Sequence, residues 1–240
     1  MTSPALRFSG AGYTHVGHVR ERNEDAILLD PAGQLWVVAD GMGGHGHGDI
    51  AADMVVDGLA NLADGDEPEV ILSEQITRIN TDIHAMMIRR GRTIGATLVV
   101  AFLQDNVSYL AWVGDSRIYL SRGGRLRQLS HDHSRVQEMV DEGLLGPEEA
   151  ATHPERNVIT RAMGVEPTVA IDSATLPMLA GDRIMLCSDG LTTCVSDHAI
   201  AQIMNAHSDP KETAAALMHA ALDAGAPDNV SVIVIGASEG

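Results

Sequence analysis

Long apolar runs broken by short polar turns set the pattern of this chain. LRFSGAGY (6–13), QLWVVAD (34–40), GATLVVAFL (95–103), VSYLAWVG (107–114), RIYLSR (117–122), RIMLCSD (183–189) and NVSVIVIG (229–236) each have the length and apolar character of a strand. Several neighbours are separated by too few residues for a crossover helix, which predicts largely antiparallel sheets. Helical spacing is predicted over residues 49–61, 68–90, 197–206 and 210–224. The last helix has the clearest ends: Asp209 at the N-cap, Pro210 at the first helical position, Glu212 at the third, and Gly225 just past the end. Strands clustered in the middle with helix pairs before and after predict an α+β layered sandwich, not a doubly wound parallel sheet. Residues 130–162 are polar and helix-capable without a matching strand, and read as a surface flap. Neither a linker nor a repeat interrupts residues 1–240, so one compact domain is expected.

Charge then narrows the partners. The formal net charge is −17, from 33 acidic against 16 basic residues, and the basic residues form no stripe. Nucleic acid is not an expected partner, because a polyanion would be repelled. The opening MTSPALRFSG lacks the pattern of a secretory leader, and nothing approaches the roughly 20 apolar residues that span a bilayer. A soluble, cytoplasmic, monomeric protein is expected. The chain runs out four residues after its last apolar run, so no further sensor, anchor or docking domain is expected. Cys187 lies in an apolar run and Cys194 in the turn after it, which suits core packing better than a disulfide or a reactive thiol.

Candidate chemistry begins at VVADGMGGHGHGDIAAD (37–53), an apolar run ending in an acid and followed by glycines and histidines. Gly41 to Gly46 formally match a dinucleotide fingerprint, but no second parallel strand ending in an acid follows, and Asp40 would face the pyrophosphate. A phosphate-binding P-loop fails because the residue after Gly46 is His47, not lysine. His45 and His47 with His131 and His133 of SHDHS would make a four-imidazole zinc site. Asp40, however, has counterparts at other strand ends: Asp115 in VGDSR, Asp189 in MLCSDG, and Asp228 just before VSVIVI. Any one of them reads as a turn former. Four at converging strand ends would repel one another and raise each other's pKa, unless hard divalent cations neutralised them.

These motifs also carry a family resemblance. GHVRERNEDA (17–26), VADGMGGH, GATLVVA, VGDSR, RNVITRAMG, GDRIMLCSDGL and PDNVSVIVI follow the order and spacing of the metal-dependent protein phosphatases of the protein phosphatase 2C class, bacterial branch. The resemblance spans nearly the whole chain. It implies a four-layer α/β/β/α sandwich of two antiparallel sheets flanked by helix pairs, with manganese or magnesium at one edge, and hydrolysis of phosphoserine and phosphothreonine. Carried over by position, Asp40 resembles the ligand bridging two core ions, the Gly41 carbonyl a ligand of the second, and Asp189 and Asp228 the remaining core carboxylates. Asp115 resembles a ligand of a third, weaker ion, shared with Asp189 beside the flap. Arg20 corresponds to the arginine that holds the phosphate, Glu24 and Asp25 to acids supporting the metal waters, and Asn229 to a residue orienting Asp228.

The chemistry implied is direct attack on phosphorus by an ionised water bridging two metals, with no covalent phosphoenzyme. One departure stands out: animal members carry a histidine two residues after the bridging aspartate, and here that residue is Met42. A thioether donates no proton, which leaves a metal-bound water or His45 to protonate the leaving alkoxide. Otherwise His45 and His47 read as hydrogen-bonding groups beside the site or as plain surface residues. Two rival functions stay in view, a pseudophosphatase that only binds, and a metal-dependent hydrolase of another phosphoester. Every expected metal aspartate is present, which disfavours the first. The expected partners are phosphorylated proteins, among them a cognate serine/threonine kinase.

Overall fold

A computed structural model describes residues 5–43, 47–62 and 65–240 of the protein. Two antiparallel sheets stack face to face. One runs in the order β1 (Leu6–His15), β11 (Val230–Glu239), β10 (Arg183–Cys187), β7 (Arg117–Arg122) and β8 (Arg125–Gln128). The other runs β2 (Asp25–Leu29), β3 (Leu35–Gly43), β5 (Leu98–Gln104), β6 (Val107–Val113) and β9 (Asp172–Pro177), with β4 (Ile94–Ala96) paired to the end of β3. Helices α1 (Gly48–Leu59) and α2 (Pro68–Arg90) cover the second sheet. Helices α5 (Asp189–Cys194), α6 (Asp197–Ala206) and α7 (Pro210–Asp223) cover the first. The flap holds α3 (Arg135–Asp141) and α4 (Pro147–Ala150). The result is the four-layer α/β/β/α sandwich.

The continuous apolar runs follow from this layering. Successive strand residues point to opposite faces, and here both faces are buried. On β3, Trp36 and Val38 enter the layer between the sheets, against Ile184, Leu186, Ile233 and Ile235. Their neighbours Val37 and Ala39 face Val55, Leu59, Ile76 and Ile83 of the helices. On the other side Met185, Cys187, Val232 and Val234 meet Ile200, Met204 and Leu217. Cys187 is therefore a core residue, and burial pushes its thiol up to about 12. Cys194 lies in α5, not in a turn.

Some predicted elements change shape. GATLVVAFL is two strands, broken at Thr97, and β3 continues past Asp40 to Gly43 because β4 pairs with its end. Helix α1 begins one residue before, and ends two before, the predicted 49–61, and α7 ends at Asp223. The strands β2, β8 and β9 and the helix α5 had no place among the predicted elements. No helix among the described residues is long and apolar enough to cross a membrane.

Candidate active site

The site lies where the two sheets share an edge. Asp40 sits near the end of β3, and its strand partner is Asp25 at the start of β2. Asp189 opens α5 one residue after β10, and Asp228 lies two residues before Val230, the first residue of β11, the antiparallel neighbour of β10. Asp115 lies in the turn from β6 to β7, where the chain crosses from one sheet to the other. Four strand ends thus deliver carboxylates to one place. Asp40 is pushed well above the ordinary carboxylate range, first by burial and then by the charges of Asp25, Asp189, Asp115 and Asp228. Burial and Asp189 raise Asp115 to about 7. Burial and Asp228 raise Asp189 to about 6, against the lowering effect of a hydrogen bond with Asp40.

Backbone pins fix the central acid. The Asp40 N–H donates to Thr97 Oγ1 at 3.0 Å, the Thr97 N–H donates back to the Asp40 carbonyl at 2.8 Å, and Thr97 Oγ1 lies 2.7 Å from Ser116 Oγ. Thr97 therefore links the Asp40 strand to the residue after Asp115. The next residue, Gly41, must lack a side chain: a Cβ there would lie 2.2 Å from the Gly48 carbonyl oxygen and 2.5 Å from that of Glu24. Its N–H donates to the Glu24 carbonyl at 3.0 Å. Close backbone packing of α1 onto β3 dictates glycine here, and it also requires glycine at position 48.

The supporting residues take more specific positions than their order in the chain suggests. Glu24 Oε1 accepts the Gly48 N–H at 2.9 Å, at the first turn of α1, where a carboxylate suits the helix dipole. Asn229 holds the 16–24 loop: its Oδ1 accepts the Glu24 N–H at 2.8 Å, and its Nδ2 donates to the carbonyls of Val16 and Arg22 at 2.9 Å each. The contact of Asn229 with Asp228 runs through the backbone, its N–H donating to Asp228 Oδ1 at 2.9 Å. Asp25 Oδ2 accepts two hydroxyls, from Ser188 at 2.8 Å and Ser231 at 2.7 Å. Its Oδ1 is buried with no partner among the described residues. Burial raises Asp25 to about 7 against the lowering effect of both serines.

Arg20 stands at the mouth. Its Nη2 donates to Asp228 Oδ2 at 2.7 Å, and its side chain remains 55% exposed. The open cleft around it is lined by Arg20, Glu21, Asp189, Thr193 and Asp228, with Arg156 and Asn157 of the flap. Among the described residues, His47, His131 and His133 do not line it. His131 Nε2 bonds the exposed Asp141 at 2.7 Å, whereas His133 is buried against Gly114. His47 is half-buried at the N-cap of α1 with no capping bond from its side chain, and His45 lies outside the described residues.

The donor set fits hard cations. Carboxylate oxygens and a backbone carbonyl are the ligands that manganese and magnesium take, and an orphaned buried carboxylate oxygen is what a metal-held water would satisfy. Among the described residues no three His, Cys, Asp or Glu side chains already enclose an ion-sized space. Asp228 is instead paired with Arg20 at 2.7 Å. Thr97, Ser116, Ser188 and Ser231 are the supporting residues that sequence reasoning missed. A lone polar residue inside the apolar run GATLVVAFL was the signal for Thr97; the serines gave none.

The chain is similar to known proteins over most of its length. The Protein phosphatase 2C family profile matches residues 11–226. The serine/threonine protein phosphatase PstP of Mycobacterium tuberculosis is 40% identical over 227 residues, covering 91% of this chain and 43% of that protein. The chain thus spans less than half the length of that relative. The serine/threonine phosphatase stp of Listeria monocytogenes is 35% identical over 234 residues, covering 92% of this chain and 93% of its own. The crystal structure of the PstP catalytic domain in complex with two manganese ions superposes with a TM-score of 0.88 at 35% identity, over 97% of this chain and 99% of that one.

Proposed function

The chain belongs to the protein phosphatase 2C family, and from that membership we propose that it is a metal-dependent serine/threonine protein phosphatase, hydrolysing phosphoserine and phosphothreonine monoesters. The convergence of Asp40, Asp189 and Asp228 from two sheets, beside the orphaned Asp25 Oδ1, carries this reading. Asp40, Asp189, Asp228 and the Gly41 carbonyl would hold two manganese or magnesium ions, and Asp115 with Asp189 would hold a weaker third. Two such ions, when bound, supply a nucleophile near neutral pH by lowering the pKa of water.

The chain's own groups perform the remaining work. Arg20 reaches the cleft from a loop clamped by Asn229, and its fork suits two oxygens of a phosphate. Released from Asp228, it neutralises charge developing on the phosphoryl oxygens. Asp25 and Glu24 accept hydrogen bonds on the inner side, and Met42, beside Gly41, donates no proton to the leaving alkoxide. Phosphorylated proteins, the products of serine/threonine kinases, are the substrate class.

A chelator test discriminates the readings. The stripped protein should regain activity on p-nitrophenyl phosphate and on phosphoserine and phosphothreonine peptides with manganese or magnesium. Full recovery with zinc alone would overturn the carboxylate assignment. Preference for bis-p-nitrophenyl phosphate would instead make the protein a phosphodiesterase.

A further inference from the structure

The Asp115 turn and the flap are joined by residues that the reading above leaves unused. Gly114, just before Asp115, takes φ +105°, and a Cβ there would lie 2.6 Å from the Thr97 side chain. Both of its backbone polar groups go to one residue. Its N–H donates to His133 Nδ1 at 2.9 Å, and its carbonyl accepts the His133 N–H at 2.9 Å. His133 is only 6% exposed.

The same histidine begins the flap. Its carbonyl accepts the Thr160 N–H at 2.8 Å, the Arg135 N–H donates to the Val158 carbonyl at 2.8 Å, and Ser134 bridges Ile159. Residues 133–135 and 158–160 are therefore the two fastened roots of the flap. Because Nδ1 accepts from Gly114, Nε2 carries the ring proton; it lies 3.3 Å from its acceptor Asp172 Oδ2 and 2.9 Å from Arg161 Nη1, a fellow donor bound to the same carboxylate. Arg161, just past the second root, donates to Asp172 Oδ1 at 2.7 Å and to the Ala170 carbonyl at 3.2 Å. Burial and the charge of Arg161 lower the His133 pKa, which keeps the ring neutral and Nδ1 free to accept. A parallel tie joins Arg117, beyond the turn, to Asp132 at 2.7 Å.

We infer that His133 is a positioning residue that locks the Asp115 turn to the root of the flap, so that the carboxylate of Asp115 and the flap are placed as one unit. The inference rests on the proposed role of Asp115 in metal binding. Two features support it over a role in packing alone. Every polar atom of His133 is engaged, and its partners fall on both sides of the junction between turn and flap. Asparagine could reproduce the Nδ1 acceptor toward Gly114, because its Oδ1 sits equally far from Cβ. Glutamine could reach only the Nε2 side.

The two isosteres separate the roles. With p-nitrophenyl phosphate as substrate, His133→Gln should lower kcat about tenfold with KM within about twofold of wild type, and raise the manganese needed for half-maximal activity. In the metal-free protein the segment around Gly114 should exchange its amide hydrogens faster in His133→Gln than in wild type. His133→Asn should keep kcat, the manganese requirement and the exchange rate near wild type. Asp172→Asn, altered at the exposed end of the chain of contacts, should fold and show a smaller change in the same direction. Equal losses in the Asn and Gln variants, or unchanged exchange and manganese dependence in the Gln variant, would overturn the inference. Wild-type protein inactive with manganese on this substrate would sink the phosphatase reading instead, and the exchange measurement would still decide the lock.

Discussion

Two sets of buried and half-buried aspartates in this molecule have opposite surroundings. Asp182, 2% exposed, is fully paired: Arg122 Nε and Nη2 donate at 2.8 and 2.6 Å, and the Leu179 N–H donates at 2.7 Å. Asp132 receives the Arg117 fork in the same way. Asp40, Asp25, Asp115 and Asp189 lie within reach of one another's charge with no arginine fork on any of them, and among the described residues Asp25 Oδ1 has no hydrogen-bond partner. A buried charge costs several kcal/mol unless it is paired. The first set finds its cations within the chain; the second is arranged for cations from outside. Burial alone therefore does not mark the site, but burial without an arginine partner does.

Substitutions should separate the two sets, most steeply at the core acids. Asp40→Asn and Asp189→Asn should each lower kcat by about a thousandfold or more, on the order of 4 kcal/mol, while the metal-free fold melts no lower than wild type because a repelling charge is gone. Asp182→Ala should do the reverse, leaving kcat/KM of the folded fraction intact and costing about 1–3 kcal/mol of stability by chemical denaturation, less than a fully buried pair because Arg122 is 38% exposed. Arg20→Ala should cost about 1.5–3 kcal/mol in kcat/KM on monoesters, with lysine rescuing only in part. An unchanged value would make Arg20 structural. Asp115→Ala should bind two metals per chain by calorimetry, melt within a few degrees of wild type, and lose about tenfold, or 1.4 kcal/mol, in kcat on phosphopeptides. Full activity at low and high manganese would return Asp115 to the role of a turn residue.

The sequence revealed what is local and what repeats. The α7 cap is visible because its partners lie three residues apart: the Glu212 N–H donates to Asp209 Oδ2 at 3.1 Å. The core strands are visible because burial on both faces makes them apolar throughout. The edge strands β8 (RLRQ) and β9 (DSATLP) escape notice because only a neighbour's backbone makes them strands. The four metal-type aspartates are legible from their shared position at strand ends. The environment of Asp25 is not, since its serines come from positions 188 and 231 and meet it only after two sheets have stacked. The same holds for Thr97 and Ser116, and for the two contacts of His133 with Gly114.

Metal binding by the unpaired acids is tested most directly by the thermal melting of the stripped protein between pH 5.5 and 8, with and without manganese. A carboxyl whose folded pKa lies above its unfolded value near 4 binds more protons when folded, so its stabilisation is full below about 4 and lost as pH rises to the folded value. With Asp25 and Asp115 near 7 and Asp189 near 6, the metal-free melting temperature should fall steadily across this range. Manganese at 100 times its dissociation constant should restore about 2.7 kcal/mol per site at pH 8, and much less at pH 5.5 where protons compete. A melting curve indifferent to manganese at pH 8 would contradict the account, because the acids would then need no cation.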